Sequence, residues 1–161
     1  MTRIPALGPR GEGWVAIQFV LLLATAVLGA LAMPPMVAGW PDGWPFMLQG
    51  IVLLIAGGWA VLAGIRQLGP SLTALPRPRD DAVLVEDGIY RSIRHPIYAG
   101  VMALALGWAL ITLSLLALGT ALGLVVVLDL KARREEVWLD EHYPAYAAYR
   151  SRTRRFVPGV Y

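Results

Sequence analysis

Two stretches of this chain carry side chains able to do chemistry. The first is Arg94-His95-Pro96-Ile97-Tyr98, at the entrance to a long apolar run. Proline suits the first turn of a helix, because its missing N–H is one that no intrahelical acceptor would use. A helix is therefore predicted to start near Pro96, with Arg94 and His95 at its N-terminal end. Free backbone N–H groups there, together with the Arg94 guanidinium, favour an anionic ligand group. The plainer alternative is that Arg94 meets lipid phosphate and His95 merely flanks the cap.

The second stretch begins at Asp129 and holds Lys131, Glu135 and Glu136, then Tyr143, Tyr146 and Tyr149. Lys131 and Glu135 are four residues apart, as are Asp129 and Arg133, so each pair shares a helix face. Arg133, Arg134, Asp140 and Glu141 read as an ordinary solvated face. The tyrosines recur every three residues beyond Trp138, a spacing that suits packing or an interfacial belt. It suits equally a pocket that stacks a purine and faces a cation. With no cysteine in the chain, disulfides, a thiol nucleophile and a cysteine-ligated metal centre are excluded. No glycine-rich strand-to-helix turn of the dinucleotide type appears, so a cofactor site would have to be built from helices and loops.

The elements that position these residues are apolar. Hydrophobic residues make up 57% of the 161 and charged residues 16%, against about 45–50% and 25% in an ordinary soluble domain. An uncharged run over 14–33 is long enough for a hydrocarbon core of about 30 Å. Ala30-Leu31-Ala32 resembles a signal-peptidase site, but the run exceeds a signal h-region and reads as an anchor. A second uncharged run covers 45–65, where Gly57-Gly58 and Gly64 would let another helix approach closely. The stretch 98–128 is too long for one crossing and predicts a helical hairpin turning near Thr112-Leu113-Ser114. The prediction is a single all-α, polytopic integral membrane domain over 1–161 with about four transmembrane helices. A cytoplasmic loop at 66–97 and a cytoplasmic C-terminal segment with a helix at 129–161 complete it.

All fourteen Lys and Arg residues fall in the N-terminal tail, the 66–97 loop or the C-terminal segment. Four crossings put these three segments on one side, where the positive-inside rule makes them cytoplasmic, with both termini and the active site (the plasma or inner membrane in a prokaryote). The net charge of +3 reflects this bias and contact with membrane lipid; no basic-aromatic surface for nucleic acid is present.

At both stretches the chain resembles the isoprenylcysteine carboxyl methyltransferase family with its prokaryotic members and, more distantly, the phospholipid methyltransferases. The residues that carry this are Gly88-Ile89-Tyr90, Arg94 through Gly100, Glu135-Glu136 with Leu139, Tyr143 through Tyr149, and Arg155-Phe156-Val157-Pro158. The resemblance covers roughly 66–161 and implies a membrane-embedded methyltransferase that uses S-adenosylmethionine and takes a lipophilic small molecule, prenylated peptide or lipid from the bilayer. It implies no metal. By motif, Tyr90, Arg91, Ser92, Ile93, His95 and Tyr98 match cofactor-contacting positions, as does the start of the next span around Ala103 and Leu106. Glu135 matches a carboxylate that holds the cofactor, and His95 and Arg94 take the catalytic positions. On the substrate side stand Lys131, Glu136 and Tyr146. Lys131 occupies a place where eukaryotic members have an arginine, which keeps the charge and loses the bidentate fork; Tyr143-Pro144 replaces their Phe-Gly.

An ionised carboxylate acceptor needs no base, so proximity and exclusion of water would suffice. An amine or thiol acceptor would need one, and an imidazole such as His95 is the suited side chain. Two other functions remain open on sequence. The ending from Arg155 to Tyr161 also resembles the tail of membrane sterol reductases, which use NADPH, and a non-catalytic membrane scaffold would share the same composition.

Overall fold

A computed structural model of the protein describes residues 4–32 and 43–160. The predicted 34–44 loop lies almost wholly outside them, as do Met33, Arg3 and Tyr161. Five helices follow in order: α1 (Glu12–Ala32), α2 (Trp44–Leu68), α3 (Pro96–Thr112), α4 (Leu115–His142) and α5 (Tyr146–Arg152). Short 3-10 turns at Gly69–Ser71 and Gly88–Arg91 punctuate the long connection between α2 and α3. No strand occurs among the described residues, in keeping with the all-helical class; one isolated parallel bridge joins Ile93 to Arg154.

Helices α1, α2 and α4 are long and apolar enough to cross a membrane, and α3 is a shorter apolar helix packed among them. Their outer faces carry exposed large hydrophobics such as Val20, Leu23, Ile55, Trp59 and Leu116. In water such continuous apolar surface would be a liability, whereas in a bilayer it meets lipid chains of equal polarity. At 1.5 Å per residue, the 28 residues of α4 extend about 42 Å, beyond a hydrocarbon core of about 30 Å. The surplus lies at its C-terminal end, and Lys131, Glu135 and Glu136 ride on it.

The seam between α2 and α3 is made of glycine. The buried residues of α2 are Gly50, Gly57 and Gly64, seven apart, and α3 answers with Gly100 and Gly107. A Cβ on Gly57 would stand 2.7 Å from the Gly100 carbonyl oxygen, and one on Gly107 would stand 2.7 Å from that of Gly50. The two backbones therefore touch where side chains would keep them apart. Gly64 lies against Pro96 and Ile97, and Gly50 against Ile111, so the helices run antiparallel.

Helix α3 ends at Thr112, Leu113 turns the chain in a left-handed conformation (φ 50°), and Ser114 caps α4 by accepting a hydrogen bond from the Ala117 N–H. The Ser114 hydroxyl also donates to the Leu28 carbonyl of α1, and further along the same pair the hydroxyls of Thr25 and Thr120 meet at 2.9 Å. The Lys131 ammonium reaches Gln18 Oε1 at 2.7 Å, so α1 runs antiparallel to α4. Helix α1 packs on α4 and α3, and α2 packs on α3, which leaves no packed seam between α1 and α2. The core runs along α3 and α4 through Met102, Ala105, Leu124 and Leu128, and ends at Phe156 of the C-terminal tail.

This alternation gathers the beginning of α1, the α2–α3 connection and the C-terminal segment at one end of the bundle. Arg77 donates its backbone N–H to the Arg10 carbonyl, and Gly11 packs against Pro76.

Candidate functional site

The α2–α3 connection and the C-terminal segment are tied together backbone to backbone. Arg94 N–H donates to the Arg154 carbonyl (2.8 Å), His95 N–H to that of Arg155 (3.0 Å), and Arg154 N–H to that of Ser92 (3.1 Å). Side chains add to this. The Tyr149 hydroxyl donates to the Tyr90 carbonyl, the Tyr143 hydroxyl to that of Ala82, and Arg152 pairs with Glu86. The Ile89 N–H is taken by Gln67 at the end of α2.

A buried ion cluster clasps the join. Glu136 Oε1 accepts from Arg94 Nε at 2.9 Å and from Arg155 Nε at 3.0 Å, and its Oε2 accepts from Arg155 Nη2 at 2.9 Å. Arg155 also pairs with Asp129. Arg94 Nη1 donates to the Thr153 carbonyl at 2.7 Å and reaches that of Arg150. The side chains of Glu136 and Arg94 are 6% and 8% exposed, so these are charges withdrawn from water, where removing one partner leaves the others uncompensated.

Inside this join lies a cavity of about 480 Å³, within the usual range for small-molecule sites. Tyr90, Arg94, His95 and Tyr98 line it from the α2–α3 side, Lys131 and Glu135 from α4, and Tyr143, Tyr146 and Tyr149 from the C-terminal segment. Its wall continues into Val15, Gln18 and Phe19 of α1 and Ile65 and Leu68 of α2.

The polar end is ordered by contacts among its own groups. Tyr98 donates to Glu135 Oε2 at 2.6 Å and stacks on the His95 ring, 5.3 Å between centroids and 11° from parallel. Lys131 Nζ sits 4.8 Å over the Tyr98 ring, and its hydrogen-bond partners are the neutral Gln18 amide and, at 3.5 Å, the Ala74 carbonyl. His95 Nε2 lies 3.4 Å from Glu136 Oε1, near enough for an ion pair but not aligned as a hydrogen bond. The Tyr146 hydroxyl is buried with no hydrogen-bond partner among the described residues. Burial pushes the phenols of Tyr90, Tyr146 and Tyr149 well above their ordinary range, so all three remain O–H donors at neutral pH. No cluster of potential metal ligands occurs among the described residues.

Of the candidate site residues read from sequence, Tyr90, Arg94, His95, Tyr98, Lys131, Glu135 and Tyr146 come together on this wall, joined by Tyr143 and Tyr149, while Arg91, Ser92, Ile93, Ala103, Leu106 and Glu136 lie off it. Arg91 and Ser92 are exposed, and Ile93 is buried at the bridge to Arg154. Ala103 packs toward Gly57, and Leu106 against the helical core. Glu136, one residue past Glu135, points about 100° further round the helix, into the arginine clasp and away from the cavity. Arg94, too, donates from Nε to Glu136 and from Nη1 to the carbonyls of Thr153 and Arg150, contacts that hold the segment. The solvated reading of Arg134 needs correction. Its guanidinium stacks 4.3 Å over Trp138, and its Nε is buried without a hydrogen-bond partner among the described residues. Arg133 does stand exposed, paired with Asp129.

Gln18 was missed, although it is the lone amide in the first apolar run, the kind of residue that marks a buried polar contact in a membrane helix. Arg155 and Asp129 were missed as a pair because nothing in their spacing connects them.

Among protein families, the sequence model described as phospholipid methyltransferase matches residues 46–146. That span takes in α2, α3, α4 and the connection that carries Tyr90, His95 and Tyr98. No curated protein gives a significant match to the chain.

Proposed function

Because the chain belongs to the phospholipid methyltransferase family, that of the isoprenylcysteine carboxyl methyltransferase-like membrane enzymes, we propose that it transfers a methyl group from S-adenosylmethionine to a lipophilic acceptor. The observation that carries this reading is the cavity at the end of the bundle, polar and aromatic at one end and continuous with membrane helices at the other.

The donor set suits the cofactor. Its ammonium or ribose would find the Glu135 carboxylate, and the buried, unpartnered Tyr146 hydroxyl offers a hydrogen bond to one of its polar atoms. Tyr90 and Tyr146 line the same wall with aromatic rings suited to a cation. When bound, S-adenosylmethionine supplies an electrophilic methyl on a sulfonium whose leaving thioether is neutral.

The protein's share is binding, orientation and exclusion of water. Lys131 is a buried basic side chain on the cavity wall with neutral hydrogen-bond partners and Glu135, itself engaged by Tyr98, one turn along the helix; this suits an acceptor with a negative group, such as a carboxylate of the isoprenylcysteine type. Such an acceptor requires no base. For an amine acceptor, such as a phospholipid headgroup, His95 is the group on the wall able to take a proton. Phe19 and Ile65 line the cavity and also face outward, 61% and 38% exposed, on two helices without a packed seam. A lipophilic acceptor enters there from the bilayer. With the basic residues of the three gathered segments on the cytoplasmic side, both termini and the site are cytoplasmic.

Calorimetric titration of the detergent-purified full chain with S-adenosylmethionine or its demethylated product should give a dissociation constant of about micromolar order. Glu135→Ala and His95→Ala should abolish it while membrane insertion persists. Saturable NADPH binding with indifference to S-adenosylmethionine would replace this reading with a reductase, and silence to both with a scaffold. Mass spectrometry of lipid and protein fractions after incubation with methyl-labelled cofactor identifies the acceptor.

A further inference from the structure

A second, smaller concavity of about 250 Å³ lies at the C-terminal tail, lined by Arg94, Arg150, Thr153, Arg154, Arg155 and Val160. Its four guanidinium groups are unequally matched by acids. Arg94 and Arg155 share Glu136, and Arg155 has Asp129 as well. Arg150 and Arg154 are exposed and form no side-chain hydrogen bond or ion pair among the described residues. The cleft thus gathers two cations beyond those its carboxylates offset, and guanidinium forks match the oxygens of a phosphate group.

The arginines are held in place rather than carried on a loose tail. The Arg154 backbone is bonded on both sides, its N–H to Ser92 and its carbonyl to Arg94, and the Arg150 carbonyl receives Arg94 Nη1. These bonds fix where the two side chains leave the backbone, so that only their rotamers remain to be ordered when an anion binds. The position also points to the bilayer surface. Phe156 anchors the tail in the helical core, while Val157 and Val160, 49% and 77% exposed, stand beside the arginines. Apolar side chains next to uncompensated arginines make up the pattern of a segment lying among lipid headgroups.

We propose that this cleft binds a phosphate group, presented by the headgroup of an acidic phospholipid or taken up as free phosphate. The site does not depend on the methyl-transfer reading, because neither Arg150 nor Arg154 lines the main cavity.

The test follows thermal unfolding of the full chain in a neutral detergent during titration with short-chain phosphatidylglycerol, phosphatidylcholine or inorganic phosphate. The wild type and Arg150→Gln/Arg154→Gln are compared, and helical circular dichroism verifies that the variant folds. Phosphatidylglycerol should raise the midpoint at concentrations where phosphatidylcholine does not. The double variant should need about tenfold more for the same shift, as expected for the loss of charge-assisted hydrogen bonds. An equal, variant-sensitive response to inorganic phosphate supports the site and assigns it a soluble anion. A wild type indifferent to both phosphatidylglycerol and phosphate, or a folded variant that responds as the wild type does, overturns the proposal.

Discussion

Two joints hold this molecule, and they work by opposite physics. Along α2 and α3, Gly50, Gly57, Gly100 and Gly107 bring two helices together by having nothing in the way. At the end of the bundle, Arg94, Glu136, Arg155 and Asp129 bring two distant segments together by burying charge. The first joint is suited to lipid, where close backbone packing takes the place of a hydrophobic drive. The second joins segments that leave the membrane, and its buried charges are tolerated because each has a partner. The lesson is that the scaffold tolerates no added atoms and the clasp tolerates no missing ones.

The largest effect should come from the clasp. Glu136→Ala leaves Arg94 and Arg155 buried without their common acceptor, a loss of about 3–5 kcal/mol. The C-terminal segment should come free, read as rapid proteolysis beyond α4 and a lowered unfolding midpoint. Wild-type resistance would remove the clasp from the account. Next comes the seam. Gly57→Leu drives a side chain into the Gly100 carbonyl and should cost at least about 1–3 kcal/mol. Gly58→Leu, with nothing within 4 Å of its Cβ position, should stay within about 0.5 kcal/mol. Equal denaturation curves for the two would contradict the glycine seam. Smaller again is Tyr149→Phe, which takes from the buried Tyr90 carbonyl its 2.8 Å donor and should cost about 1 kcal/mol in the same assay. Smallest is Arg133→Ala. Its pair with Asp129 is 47% exposed on the arginine side, and the change should be within about 0.5 kcal/mol. If it matched Glu136→Ala, buried and exposed charges would not differ as argued.

The same contrast decides what could be read from sequence. The all-helical membrane class follows from uncharged runs long enough to cross a bilayer, and Gly57 and Gly64 in the second run announced a close neighbour without naming it, whereas Gly58, expected with them, faces open space. The clasp was illegible, because Arg94 meets a carboxylate 42 positions on and periodicity does not reach so far. Between adjacent Glu135 and Glu136, sequence placed both at the ligand, whereas helix geometry separates them, one facing the cavity and the other the arginines. Arg134 was misread for a nearer reason. Trp138 lies four residues later on the same face, and the stack was there to be seen.

The central claim is that the α2–α3 connection and the C-terminal segment close over one cavity on one side of the membrane. The chain has no cysteine, so a Glu86→Cys/Arg152→Cys pair can be introduced where the two side chains meet tip to tip and joined in native membranes with a bis-maleimide long enough to replace those side chains, a reach a disulfide lacks. The account predicts near-complete intramolecular crosslinking, with each single cysteine labelled from the same side. A pair that reacts at both cysteines without becoming crosslinked, or single cysteines labelled from opposite faces of the membrane, would contradict it.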